Sequence, residues 1–213
     1  MFDLHTHSIL SDGHLLPSEV ARRYEEKGYK IIAITDHVDR SNIEFVCSSI
    51  LEFTNSFRNN KIKVLPGVEL SHIPPDQFLP LAEYARSRGI KIIIGHGETI
   101  VEPVIPGTNR AAIQADVDIL AHPGLISKED VKLAVKKGTF LEITSRRGHS
   151  LTNGHIAKLA LKYKAKISID SDSHGPEDIL NPEDKLKIAQ GSGLSLEQIA
   201  LAYKNLENFL KNK

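Results

Sequence analysis

The chain has 213 residues, of which 40% are hydrophobic and 25% are charged, and its 27 Lys and Arg balance its 27 Asp and Glu. This composition is typical of a globular domain, and the zero net charge argues against a long nucleic-acid track, which usually needs a basic surface. Because Cys47 is the only cysteine, and because neither a signal-peptide pattern nor an apolar run of about 20 residues is present, we expect a cytoplasmic enzyme or binding protein without internal disulfides or a membrane partner.

Short apolar runs rich in β-branched residues recur along the chain and predict seven β-strands. They are Phe2–Leu4, Lys30–Thr35, Lys61–Glu69, Lys91–Gly95, Asp118–Ala121, Thr139–Ile143 and Ala165–Ile169. Their starts lie roughly 20–31 residues apart, which is the length of one strand plus one crossover helix.

Helical patterns occupy the intervals between these runs and the C-terminal segment. They are Pro17–Gly28, Ser41–Arg58, Pro80–Gly89, Asn109–Ala115, Ser127–Lys137, Thr152–Tyr163, Pro182–Ala189 and Ser195–Leu210. Two of them begin with a capping signal: Ser127 is followed three residues later by Asp130, and Ser195 by Gln198.

The regular alternation of strands and helices predicts an α/β fold with a parallel sheet and right-handed crossovers. Seven units in one chain of this length favour a closed barrel with one unit fewer than the eight-unit (β/α) barrel, in a single domain over residues 1–213. A doubly wound open sheet is the alternative architecture.

Every predicted strand ends at a residue that can bind a metal ion. The strand ends contribute His5 and His7, Asp36 and His37, Glu69, His96, His122, Glu142, and Asp170, Asp172 and His174. In a (β/α) barrel these ends converge on one face, where active sites are built. Asp36 could instead orient the neighbouring chain, and Glu142 could be a cap or an ion-pair partner.

Imidazoles and carboxylates without a thiolate suit Zn²⁺, Mn²⁺ or Fe²⁺. The set is large enough for two or three divalent ions, which could activate a bridging water as hydroxide and neutralise an attacked phosphoryl group. The other histidines are out of phase with the strand ends, and we expect them at the substrate side, behind the ligands or on the surface. They are His14, His72, His149 and His155.

The motifs resemble those of the PHP (polymerase and histidinol phosphatase) family over essentially the whole chain. They are His5-x-His7 with Ser11-Asp12-Gly13, Thr35-Asp36-His37, Gly67-Val68-Glu69, His96, Ala121-His122-Pro123 and Ser171-Asp172-Ser173-His174. The resemblance, which is closest to compact stand-alone members, implies a distorted (β/α)7 TIM-like barrel with a trinuclear metal centre. It implies that the first ion binds His5, His7, Glu69 and Asp172, that the second binds His37 and His174, and that the third binds His96 and His122 with Glu69 as a bridge. Asp12 or His14 could complete the second set, and the Ser-Asp-Gly form favours Asp12.

The predicted function is metal-dependent hydrolysis of a small phosphomonoester, such as a histidinol-phosphate-like compound or a nucleotide. We assign Asp12, Asp172 and His174 to catalysis as well as to metal binding. Arg146 and Arg147 follow the sixth strand, Arg110 lies at a predicted helix start, and His149 is close by in sequence, so these four are the candidate substrate-binding residues. A phosphodiesterase or 3′-exonuclease acting on nucleic-acid ends and a non-catalytic metal-binding module are the alternatives.

Overall fold

Eight parallel strands form the sheet of the computed structural model, which describes residues 1–213. The strands are β1 (Phe2–Asp3), β2 (Ile31–Ile34), β3 (His37–Val38), β4 (Lys63–Leu70), β5 (Ile92–His96), β6 (Ile119–Ala121), β7 (Phe140–Thr144) and β8 (Ile167–Asp170). The order is β1-β2-β4-β5-β6-β7-β8, and β3 also pairs with β4, so β2 and β3 share one of seven strand positions.

The sheet curves until its first and last strands meet. Thr6 forms a parallel bridge with Ser173, while the backbone N–H of His7 donates to Ser173 O at 2.8 Å and that of Asp172 donates to His5 O at 2.9 Å. The predicted distorted (β/α)7 TIM-like barrel is therefore confirmed, and the open sheet is excluded.

A helix follows each strand position in the sequence, and the first six helices form the crossovers to the next strand. The helices are α1 (Pro17–Glu26), α2 (Ile43–Ser56), α3 (Phe78–Arg88), α4 (Thr108–Gln114), α5 (Lys128–Lys137), α6 (Asn153–Tyr163), α7 (Pro182–Gly191) and α8 (Leu196–Leu210). Both predicted caps are confirmed, since the hydroxyls of Ser127 and Ser195 accept from the backbone N–H groups of Asp130 and Gln198. None of these helices combines the length and the apolar character needed to cross a bilayer.

Most predicted boundaries differ from the observed ones by one or two residues, and two of these differences arise because side chains interrupt the pattern. The run Lys30–Thr35 ends as β2 at Ile34, and an unpredicted strand, β3, resumes after the Asp36 side chain turns towards the loop after β1. Helix α2 begins at Ile43, because a turn closed by Asp39, Ser41 and Asn42 occupies the predicted first residues.

Alternation along the strands separates the barrel interior into an apolar layer and a polar layer. Along β5, Ile92 and Ile94 belong to the inner apolar cluster and His96 follows with the same phase; along β7, Phe140 is followed by Glu142. The inner cluster consists of Leu4, Ala33, Leu65, Ile92, Ile94, Ile119, Ala121, Phe140, Leu206 and Leu210. Because its last two members belong to α8, this helix closes the lower end of the barrel, and the polar layer opens at the carboxyl ends of the strands.

Candidate metal centre

A cleft of about 410 Å³ lies at the carboxyl ends of the strands. Sixteen residues line it, and Val38 is the only hydrophobic one. Histidines and carboxylates from successive strand ends supply most of its wall, as barrel topology requires. The cleft is therefore suited to ions and polar ligands rather than to an apolar molecule.

The innermost group brings His5 and His7 against two carboxylates. His5 Nε2 lies 3.2 Å from Glu69 Oε2 and 3.6 Å from Asp172 Oδ1, and His7 Nε2 lies 3.2 Å from Asp172 Oδ1 and 3.6 Å from Glu69 Oε2. All four side chains are buried. Four potential ligand groups from three parts of the barrel thus face one another.

A second group lies closer to the cleft and includes Asp12. Its carboxylate oxygens lie 3.6 Å from His37 Nε2 and 3.3 Å from His174 Nε2, and the ligand atoms of these three residues and His7 lie within 4.8 Å of one another. His14 is exposed and meets His174 only through a backbone hydrogen bond. The geometry favours Asp12 over His14 as the fourth member.

His122 approaches Glu69, as the resemblance implies, whereas His96 faces a different carboxylate. His122 Nε2 lies 3.8 Å from Glu69 Oε1 and 3.6 Å from Asp172 Oδ2. His96 Nε2 instead faces Glu102 Oε2 at 3.0 Å, and His72 Nε2 approaches the same oxygen at 3.2 Å. The structure therefore groups His96 with two residues that the sequence analysis did not assign to the site.

Two buried carboxylates position the candidate ligands instead of facing the centre of the site. Asp36 accepts hydrogen bonds from the backbone and hydroxyl of Ser8 and from the Ser11 hydroxyl, all at 2.7 Å. Glu142 contacts His5 Nδ1 at 2.7 Å and accepts from the backbone N–H of His122 at 2.8 Å. Both residues therefore fix the path of the chain or the orientation of an imidazole, which were the alternative readings of their positions.

Strained backbone accompanies three residues of the site. Among non-glycine residues a positive φ is found at His72 (54°), His122 (26°) and Asp172 (53°), and elsewhere only at Asp116 and Lys164. Such conformations cost roughly 1–3 kcal/mol each and are retained where the surrounding structure imposes them. Their concentration here indicates that the surrounding structure maintains the side-chain directions at the site although the backbone conformation is strained.

Burial and neighbouring charges strongly shift the pKa values of the histidines in the site. Burial lowers the pKa of His5 and His37, but Glu69 and other carboxylates raise it more, so the pKa of His5 is well above its ordinary value and that of His37 is about 9. Burial and neighbouring imidazoles hold the pKa of His7 and His122 well below the ordinary value. Without cations, this cluster balances its carboxylates with protons on some of its imidazoles.

The hydrogen bonding of the cluster tests whether its residues fit metal ions. Several of its buried atoms have close neighbours but make no hydrogen bond, namely His5 Nε2, both ring nitrogens of His7, both oxygens of Glu69, His122 Nδ1 and Asp172 Oδ1. Buried polar atoms without partners are rare and costly in folded proteins. Nitrogen and carboxylate donors that converge without satisfying one another fit divalent transition-metal ions.

The four predicted substrate-binding residues divide into two pairs. Arg146 and His149 line the cleft. Arg110 lies away from it and donates from Nε to Asp130 at 2.8 Å, because the two residues face each other across neighbouring helices α4 and α5. Arg147 is exposed and does not line the cleft.

The sequence matches the family model described as the PHP domain over residues 3–112. The chain belongs to the PHP domain family. It is 43% identical over 201 residues to an uncharacterized protein from Methanocaldococcus jannaschii, with 93% of this chain and 92% of that protein covered. It is 29% identical over 224 residues to a probable phosphatase from Thermoanaerobacter sp. (strain X514), with 92% and 87% covered.

A third relative is much longer than this chain. The DNA polymerase/3'-5' exonuclease PolX of Bacillus subtilis is 26% identical over 235 residues, which cover 98% of this chain and 40% of that protein. Among solved structures, a Xaa-Pro dipeptidase has a TM-score of 0.60 at 11% identity, with 91% of this chain and 70% of that chain covered. At this identity the structural likeness shows a shared barrel fold alone.

Proposed function

We propose that this PHP-family protein is a metal-dependent phosphatase that hydrolyses a small phosphomonoester. The observation that carries the proposal is the convergence, at the mouth of the barrel, of buried imidazole and carboxylate atoms that do not satisfy one another. Family membership and the relative named as a probable phosphatase support phosphate-ester hydrolysis as the chemistry of this centre.

Two ions fit the two inner groups of ligands. His5, His7, Glu69 and Asp172 would hold the first, and Asp12, His37 and His174 would hold the second, from the sides of the cleft. When bound, such ions supply an activated water and neutralise charge on the phosphoryl group. The protein's own contribution is to fix the ligands and to position the ester between them and the cleft wall.

The protonation of Asp12 favours its role as a ligand over that of a proton donor. Although burial raises the pKa of Asp12, the hydrogen bond with His174 and the neighbouring His37 lower it to about 2. The carboxylate is therefore ionised at neutral pH. Burial raises the pKa of the Asp172 carboxyl group to about 6, so this carboxylate is also mostly ionised at neutral pH and can bind a cation.

The cationic groups of the cleft fit one phosphate rather than a polyanion. Arg146 is the only Arg or Lys that lines it, and its Nη1 donates to Asp178 Oδ2 at 2.9 Å. Asp178 Oδ2 also accepts from the backbone N–H of His174, which ties the guanidinium to a ligand loop. The other N–H groups of Arg146 could donate to phosphate oxygens. A nucleic-acid strand would need a longer basic groove with stacking platforms.

A comparison of ester classes tests the proposal. Metal-loaded protein should hydrolyse p-nitrophenyl phosphate and selected natural phosphomonoesters faster than bis(p-nitrophenyl) phosphate or a single-stranded oligonucleotide. Asp172→Asn and His174→Gln should abolish turnover while metal-free stability persists. Preferential shortening of the oligonucleotide from its 3′ end would refute the monoesterase and favour an exonuclease like the PolX relative, and no turnover of any ester by metal-loaded protein would refute catalysis.

A further inference from the structure

We propose that the outer surface of helices α5 and α6 binds the phosphate backbone of double-stranded nucleic acid without reading its sequence. The stretch 128–166, which contains both helices, holds ten of the 27 Lys and Arg but only three of the 27 Asp and Glu. It therefore carries a formal charge of +7, and the rest of the chain carries −7. The zero net charge of the protein thus conceals a strong separation of charge.

Most of the eight lysines in this stretch have no carboxylate partner. Only Lys128 and Lys137 form ion pairs, with Glu129 at 3.6 Å and with Asp116 at 2.9 Å. The other six are exposed, namely Lys132, Lys136, Lys158, Lys162, Lys164 and Lys166. The arginines of α1, by contrast, pair with glutamates of their own helix. Ammonium groups that are not neutralised at this density repel one another and attract a polyanion.

Helical spacing and one aromatic ring place four of these lysines on a common surface. Lys132 and Lys136 lie four residues apart on α5, as Lys158 and Lys162 do on α6, so each pair shares one side of its helix. The Nζ atoms of Lys132 and Lys162 lie 5.3 and 5.5 Å from the centroid of the Tyr163 ring, so both helices present lysines to the same region. These four lysines form the basic face.

The three acidic residues of the stretch do not neutralise the basic face. Glu142 is buried inside the barrel, Asp130 accepts from Nε of Arg110 on α4, and Glu129 pairs with Lys128. None of the four lysines lines the cleft. The basic face is therefore a separate cationic surface on the outer wall of the barrel, and the proposal does not depend on which ester the protein hydrolyses.

The composition of the basic face favours phosphates over a protein or a membrane. Lysines are depleted in protein–protein interfaces, whose centres are apolar and aromatic. Binding to a membrane surface uses apolar side chains that insert among the lipids. The large exposed hydrophobic side chains of the two helices are only Val135 and Leu161, with 42% and 38% exposure. Lysines, in contrast, act as point charges that bind backbone phosphates whatever the sequence.

The aromatic content of the surface favours a duplex over a single strand. Single strands are bound in grooves where their bases stack on free aromatic rings. Tyr163 is only partly exposed, and two ammonium groups already approach its ring. Helix α6 has 11 residues and is about 16 Å long, which corresponds to roughly five base pairs of a duplex. The basic face can therefore contact about four phosphates, one for each lysine, which is a short site rather than a long track.

Duplex binding by the full chain tests the basic face. A labelled DNA duplex of about 20 base pairs is titrated by fluorescence anisotropy between about 50 and 200 mM salt, with chelator present so that no ion in the cleft binds or cleaves it. The face variant replaces all four lysines of the basic face with Gln. The control variant replaces four other exposed lysines that also lack a carboxylate partner, namely Lys27, Lys30, Lys63 and Lys204. Both variants lose the same charge, and thermal unfolding verifies that each one folds.

Wild type should show a slope of log K against log salt concentration of about −3 to −4, because each phosphate contact contributes about −0.9. The face variant should lose at least about tenfold in affinity and most of this slope, whereas the control variant should stay within about threefold of wild type. Equal losses in the two variants, or no salt-dependent binding by wild type, would overturn the proposal. Tighter binding to a single strand, to vesicles containing phosphatidylserine or to polyglutamate than to the duplex would also overturn it. Since the assay uses neither metal nor ester, its result is independent of the proposed phosphatase activity.

Discussion

Replacing Glu142 with Gln should remove His5 from the metal centre. The Glu142 carboxylate has two partners, His5 Nδ1 at 2.7 Å and the backbone N–H of His122 at 2.8 Å, and it is fully buried. A carboxylate only accepts, so Nδ1 of His5 is protonated and Nε2 is left as the ligand atom. A Gln amide has one acceptor and one donor and cannot satisfy both partners.

Both orientations of the Gln amide are unfavourable, each for a different reason. If its oxygen accepts from His122, its NH₂ group faces His5 Nδ1, and the imidazole proton must move to Nε2, the atom that would bind metal. If the amide is reversed, the buried N–H of His122 loses its acceptor, which costs about 1–3 kcal/mol. A comparable loss of ligand orientation lowers metal affinity about 10–100-fold, or about 1.4–2.7 kcal/mol.

Competition with a chromophoric chelator measures this loss directly. The affinity of the equivalent bound by His5 should fall by that factor in Glu142→Gln, whereas Glu83→Gln, which changes an exposed carboxylate on α3, should bind as wild type. Affinities within twofold of wild type in Glu142→Gln would refute the idea that this contact sets the His5 tautomer.

Three further predictions concern stability, protonation and substrate binding. Lys185 is buried and bonded to Phe2 O at 2.6 Å, so Lys185→Met should destabilise the protein by about 3–5 kcal/mol in urea unfolding, while exposed Lys187→Met should change it by less than about 0.5 kcal/mol; equal effects would contradict a structural role for the buried amine. Burial lowers the pKa of His37 but nearby carboxylates raise it from 6.5 to about 9, so the stability that this proton gives the metal-free protein is present below pH 6.5 and is lost as the pH rises through about 9. Metal must displace the same proton, so affinity should increase over this range, and calorimetry in buffers of different ionisation enthalpy should detect proton release at pH 7; heats that do not depend on the buffer would rule this out. Arg146→Ala should raise KM for a phosphomonoester by about tenfold or more through the loss of charged hydrogen bonds, with Arg147→Ala as the unchanged control; the reverse order would mean that the exposed arginine reaches the substrate.

The fold and the positions of the inner candidate ligands could be predicted because both follow strand periodicity. Glu69, His96 and Glu142 continue the inward phase of apolar residues on their own strands, so the position of each in the barrel follows from counting along a strand. Asp12 is set by a short motif loop directly after β1, and its placement near His37 and His174 needed only the family pattern.

The contacts of residues outside that periodicity could not be predicted from the sequence, for a physical reason. Glu102 reaches His96 through the path of an 11-residue loop, which hydrogen bonds from Glu98 and Asn109 determine and no strand pattern specifies. His72 needs a positive φ to face the same carboxylate. Arg110 is a helix-start arginine as expected, but Asp130 on the next helix captures its guanidinium. In each case, a contact between distant segments decided the side-chain direction.

The seam between β1 and β8 connects the buried charges of the barrel to its candidate metal centre. No continuous ladder joins these strands, and carboxylates replace backbone acceptors: Asp170 Oδ1 accepts from the N–H of Leu4 at 2.8 Å, and Asp3 Oδ1 accepts from the N–H of Ser171 at 3.1 Å.

Lys185 lies 3.1 Å from Asp3 Oδ2 and offsets part of the negative charge that the seam buries. Burial raises the pKa of Asp170 to about 7, which shows how poorly the interior tolerates a second anion there. Directly beyond these contacts, one strand presents His5 and His7 and the other presents Asp172 and His174. The seam therefore sets the spacing between the two halves of the inner set of candidate ligands, so we expect that weakening it at Lys185 lowers metal affinity as well as stability.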